Sequence, residues 1–174
     1  MTYMSRIRQD WQTRKGSARL SGFSLIELLI VVAIILIIAG IAIPSFLRSK
    51  IAANEAAAIE NTRTITTSNV IYSTTYGIGY AANLAKMATP PVGPVNANAA
   101  GLLDNILVAG TKSGYVYTYV AGPVSAGGTI DAYTLKADPV ASNITGTRHF
   151  FVDATGVIRF NPSGAAGPTD TPVQ

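Results

Sequence analysis

The sequence predicts an α+β fold, a long N-terminal helix lying across a small antiparallel sheet of three to four strands. Three observations carry that expectation. Residues 23–43 are an apolar run of 21 residues with one ionisable group, Glu27. Beyond Pro44 the pattern turns amphipathic at helical spacing, and from residue 114 onward apolar and polar residues alternate with period two.

The apolar run comes first in the argument because nothing else in the chain is like it. A helix through it is roughly 31 Å long, which matches the hydrocarbon core of a bilayer. It is longer than the core of an ordinary secretory signal, and no A-x-A-like cleavage site follows it in a polar setting. A carboxylate at the middle of such a helix costs roughly 2.5–3.5 kcal/mol and less near its end, so Glu27 is expected to have a use.

Before the run stand Arg6, Arg8, Arg14, Lys15 and Arg19 against Asp10, and these account for the whole net charge of +4. The other 152 residues hold eight basic and eight acidic groups. The excess of positive charge therefore holds the N-terminus in the cytoplasm rather than marking a nucleic-acid site, since phosphate binding needs clustered Lys and Arg. There is no cysteine, hence no disulfide and no thiolate metal ligand or nucleophile.

The string Gly22-Phe23-Ser24-Leu25-Ile26-Glu27, with a basic segment before it, an uninterrupted apolar run after it and Pro44 closing the run, resembles the prepilin signature of type IV pilins and type II secretion pseudopilins. The resemblance covers about residues 19–60, with Ser21 where the family usually has Lys or Arg. It implies a division into a basic leader (1–22), a transmembrane and assembly helix (23–43) and an amphipathic helix (44–77). It also implies that a prepilin peptidase/methyltransferase cuts the Gly22–Phe23 bond and N-methylates Phe23, and that Glu27 serves assembly. The implied protein is a structural pilin subunit, anchored once in the bacterial inner membrane with its N-terminus in the cytoplasm. From there an assembly platform and ATPase motor would build it into a helical homo-oligomeric filament at the cell surface. The same residues fit a pseudopilin of a periplasmic pseudopilus, or a minor pilin serving as a surface or DNA-binding module. Inner-membrane lipid is the expected partner of the precursor, and nucleic acid is not expected.

Past Pro44 the residues Phe46, Leu47, Ile51, Ala58, Ile65 and Tyr72 recur at spacings near three, four and seven, with Arg48, Lys50, Asn54, Glu55, Glu60 and Arg63 assigned to the other face. The helix is expected to continue to about Gly77, with a kink at Pro44, where a backbone hydrogen bond is deleted. Residues 78–113 read as a connecting loop with short helical candidates at 81–88 and 101–108, separated by prolines. Strands are expected at 114–121, 130–137, 147–153 and 157–160, within a sheet region of 114–160, and Ala154-Thr155-Gly156 reads as a hairpin turn. Residues 161–174, rich in Pro, Gly and Thr, read as a loose or edge-strapping tail.

No constellation in the chain points to an enzyme. His149 is the only histidine and reads as structural; no serine sits in a G-x-S-x-G context, and the glycines form no phosphate-cradling loop. No cofactor or metal is expected, although some pseudopilins hold calcium near their last strands, where Asp131, Asp138 and Asp153 lie here. Tyr72, Tyr76 and Tyr80, four residues apart, read as packing. Asn143-Ile144-Thr145 matches a glycosylation tripeptide.

Overall fold

A computed structural model describes residues 22–173, so most of the 1–22 leader lies outside the described residues. Helix α1 runs from Leu25 to Tyr76. It passes through two units, whose described parts are residues 22–42 and residues 43–173. In the first unit every described residue but Ala39 is exposed, as follows from a helix that is apolar on all sides. Pro44 lies inside the helix near the division between the units.

The second unit pairs the C-terminal half of α1 with a six-stranded antiparallel sheet in simple sequential order. The strands are β1 (Thr111–Lys112), β2 (Tyr115–Ala121), β3 (Tyr133–Pro139), β4 (His149–Asp153), β5 (Arg159–Asn161) and β6 (Thr171–Pro172). The expected count of three to four is thus corrected to six. The two additional strands are pairs of residues at the sheet edges, too short to show any alternation, and β6 falls in the stretch expected to be a loose or edge-strapping tail. That tail is tied down: the Val173 N–H donates to the Ile158 carbonyl (2.8 Å), while Asp170 accepts from Gly167 N–H (2.8 Å) and Asn161 Nδ2 (3.3 Å).

The helix ends where the sequence offers a left-handed residue. Gly77 has φ +66° and its N–H donates to the Ser73 carbonyl at 3.0 Å. The short helices are smaller than expected, a 3-10 turn at Leu84–Met87 and α2 at Asn105–Val108. Asn83 and Asp104 cap them through side-chain oxygens, and the prolines of 90–94 keep them apart.

One face of the sheet supplies Tyr115 and Tyr117 from β2, Tyr133, Leu135 and Ala137 from β3, and Phe150 and Val152 from β4 to a core completed by Ala58, Ile65 and Tyr72 of the helix. The tyrosine spacing in β2 is the strand period, so all its rings reach the same side. Gly146 is required by close approach, because a Cβ there would run into the fully buried Tyr115 ring. Gly146→Ala is therefore expected to cost about 1–3 kcal/mol through overpacking, read as a lower denaturant midpoint with unchanged slope.

Candidate functional site

The N-terminal site is built by the first turn of α1. Ser24 precedes the helix, its carbonyl accepts the Leu28 N–H at 3.2 Å, and its own N–H donates to Glu27 Oε2 at 2.9 Å. Ser24 and Glu27 thus stand three apart as the residues of a capping box, with the carboxylate reaching back over the helix start and complementing its positive end. From Phe23 to Leu47 every large apolar side chain is at least 46% exposed. The most apolar 18-residue window of α1 has mean hydropathy 3.2 and no buried residue, so the helix is long and apolar enough to cross a membrane. Glu27 is the only charge within that surface.

Gly22 sits just outside the helix. Its φ is ordinary, and a Cβ on it would meet no described atom within 4 Å. Nothing among the described residues asks for glycine there.

Residues 18–43 match the family model described as a prokaryotic N-terminal methylation motif. The chain carries a prepilin-type N-terminus. This is the motif of type IV pilins and pseudopilins, a structural rather than an enzymatic signature, and it implies processing by prepilin peptidase and filament assembly. No curated protein and no solved structure matches the chain. Within the prepilin-type segment, Gly22, Phe23, Ser24 and Glu27 fall inside six residues at the tip of the apolar helix, and Pro44 immediately follows the matched stretch.

The second unit holds a charged clasp that the sequence pattern had assigned to the solvent face. Glu55 is 7% exposed and points at the sheet, not away from it. Its Oε1 accepts the N–H groups of Thr147 (2.8 Å) and Arg148 (3.1 Å), and its Oε2 pairs with Arg148 Nε at 2.7 Å. The Arg148 guanidinium lies over the rings of Phe150 and Phe160, 5.5 and 5.4 Å from their centroids. Burial alone would raise the Glu55 carboxyl, but the Thr147 N–H and the Arg148 side chain and N–H outweigh it and hold the carboxyl below its ordinary value. Asn54, also placed on the solvent face by the pattern, donates from Nδ2 to the Thr145 carbonyl at 2.8 Å. Phe46 and Leu47, expected in the core stripe, are instead 68% and 51% exposed.

The signal was present at heptad spacing. Ala58, Ile65 and Tyr72 repeat every seven residues, and Glu55, Thr62 and Asn69 repeat every seven residues three places earlier, all six buried. The polar row survives burial because each member finds a partner: Glu55 the clasp, Thr62 the Ala58 carbonyl, and Asn69 both Tyr119 Oη and the Ala81 N–H. Burial, opposed by the Asn69 hydrogen bond, pushes the Tyr119 phenol up to about 12, so it remains a neutral donor to the Ala81 carbonyl.

Glu55→Ala is expected to destabilise the unit by about 2–3 kcal/mol, below the full cost of breaking a buried pair because the Arg148 side chain is 36% exposed. The pH dependence follows from the same contacts. A carboxyl held lower in the folded state lends stability above the ordinary carboxylate range that is lost as pH falls through its folded value. Asp104, whose carboxyl is lowered by Lys112 Nζ at 2.8 Å and by the Leu107 N–H, adds to the slope. Melting temperature measured from pH 7 to pH 3 should therefore fall in acid, and Glu55→Gln should flatten part of that fall.

His149, Asp153 and Thr145 are each taken up by contacts within the fold. His149 Nδ1 lies 2.6 Å from Asp138 Oδ1, and Asp153 Oδ1 accepts from Thr155 N–H and Oγ1 in the expected hairpin turn. Among the described residues no three His, Cys, Asp or Glu side chains stand together as a metal site. Tyr72 and Tyr76 pack at 5.0 Å between centroids, whereas Tyr80, beyond the helix end, packs on Tyr133 at 4.8 Å. The Asn143-Ile144-Thr145 tripeptide forms a tight turn in which Thr145 Oγ1 is bound to the Ala141 backbone.

Proposed function

We propose that this chain is the structural subunit of a type IV pilus. Its leader, residues 1–22, would be removed between Gly22 and Phe23 and the new Phe23 terminus N-methylated. Residues 23–43 would hold the subunit in the inner membrane with its N-terminus cytoplasmic, and then pack against other copies in the filament. The observation that carries this reading is the exposed apolar helix bearing one carboxylate at its tip, just after the Gly22–Phe23 junction of the matched motif. Such a surface requires lipid or identical apolar helices as its cover. Glu27 in this reading pairs with the Phe23 amine of a neighbouring subunit, and Pro44 bends α1 between anchor and globular unit. An assembly platform and its ATPase motor would supply the work of extraction.

The test is electron microscopy of filaments sheared from cells with and without the gene, with identification of the filament subunit by mass spectrometry. Surface filaments that disappear with the gene support the pilus. Confinement of the mature protein to the periplasm would replace it with the pseudopilus, and a trace component of filaments built from another protein would make it a minor pilin. Gly22→Leu should leave the uncut precursor in the inner membrane, seen as a band larger by the leader; normal cleavage of that variant would remove Gly22 from the site.

A further inference from the structure

We propose that, before assembly, the globular unit docks on anionic phospholipid headgroups through a foot made of Arg48, Lys50 and the turn at residues 140–146. The inference rests on the reading that the apolar helix spans a bilayer, and adds a second contact with the same membrane. Arg48 and Lys50 are the first charges after the apolar stretch; both are exposed, and among the described residues neither makes an ion pair. Their nearest acidic neighbours along the helix are committed, Glu55 to Arg148 and Glu60 to Arg63.

A second observation lies within two helical turns of these cations. Asn54 and Glu55 hold the 140–146 turn against the helix through Thr145 and Thr147, only about 9 Å of helix rise beyond Arg48. The turn is braced internally, with Asn143 N–H donating to the Gly146 carbonyl (2.8 Å) and the Ile144 and Thr145 N–H groups donating to the Ala141 carbonyl (3.1 and 2.9 Å). Residues 139–147 contain no ionisable side chain, and the turn nonetheless holds Ile144 69% and Val140 56% exposed. Of the other ionisable groups close to this end, Lys112 is paired with Asp104 at 2.8 Å, and Asp138 is engaged by His149 Nδ1 at 2.6 Å. What remains is two cations without an ion pair among the described residues, one to two helical turns before the residues that hold a braced apolar tip, where an apolar helix gives way to a polar one. That combination suits the interfacial layer of a membrane, phosphates for the cations and the acyl boundary for the isoleucine.

The absence of native cysteine permits single-site labelling of the full chain. The protein carrying Ile144→Cys with a fluorophore is placed in nanodiscs of phosphatidylcholine with or without phosphatidylglycerol, doped with headgroup-quencher lipid. The same label at Val92→Cys is the control: Val92 is 90% exposed in the loop that leads to Ala97, whose carbonyl is bound by Tyr72 near the other end of the helix. Quenching at position 144 should exceed that at 92 several-fold in anionic discs, and should fall with added salt and in the Arg48→Gln/Lys50→Gln double variant. Equal quenching at the two positions, or quenching at 144 indifferent to phosphatidylglycerol, salt and the double variant, overturns the foot while leaving the pilin reading intact. Failure of the chain to integrate into discs at all overturns both.

Discussion

A fragment beginning at Gly77 is expected not to fold, whereas one beginning at Ile51 is expected to be soluble and monomeric and to melt cooperatively. The longer fragment sheds the exposed apolar helix but keeps Asn54, Glu55 and the buried rows through Tyr72. The shorter one removes Ala58, Ile65 and Tyr72 from the core and opens the inner face of Tyr115, Tyr117, Leu135, Phe150 and Val152 to water. Fully burying one large apolar side chain contributes roughly 1.5–3 kcal/mol, so uncovering several exceeds the roughly 5–15 kcal/mol by which such a domain is stable. Circular dichroism with thermal melting separates the two fragments. A cooperative transition from the Gly77 fragment would show that the sheet does not depend on the helix.

Glu27→Ala is expected to insert in the membrane and to be cut after Gly22, yet to give few or no filaments when it is the only copy. In the apolar surroundings of packed helices, a carboxylate and an amine each need a partner, and the pair fixes the axial register between subunits. The Ser24–Glu27 cap adds a second role that charge alone does not cover. Glu27→Gln separates them, because an amide oxygen still caps the Ser24 N–H but cannot pair with the amine as an ion. Gln should therefore assemble as poorly as Ala, and Asp, which keeps the charge and loses reach, should be milder. Sheared filament compared with total membrane protein measures this. Normal filament yield from the Ala variant, with cleavage intact, excludes Glu27 from assembly, and a defect in Ala but not Gln assigns the residue to the cap.

The parts of the molecule legible in the sequence are those governed by local rules. Residues 23–43 read as an apolar helix of bilayer length, Gly77 as the residue near which it ends, and the alternation from Tyr115 to Val120 as a strand. The illegible parts depend on partners distant in sequence. Glu55 reads as a surface residue until Thr147 and Arg148, more than ninety residues away, are brought over it. Phe46 and Leu47 continue the apolar spacing yet lie short of the sheet. The edge strands β1 and β6 are two residues each, so pairing and not pattern creates them.

The central claim is that Gly22–Phe23 is the processing site of a filament subunit. It is tested most directly by the intact mass and N-terminal sequence of the protein recovered from cells that possess a prepilin peptidase. The mature chain should begin at Phe23 and carry one methyl group on its amine. A chain that still begins at Met1, or one cut after residue 43 with the apolar helix lost, would contradict it.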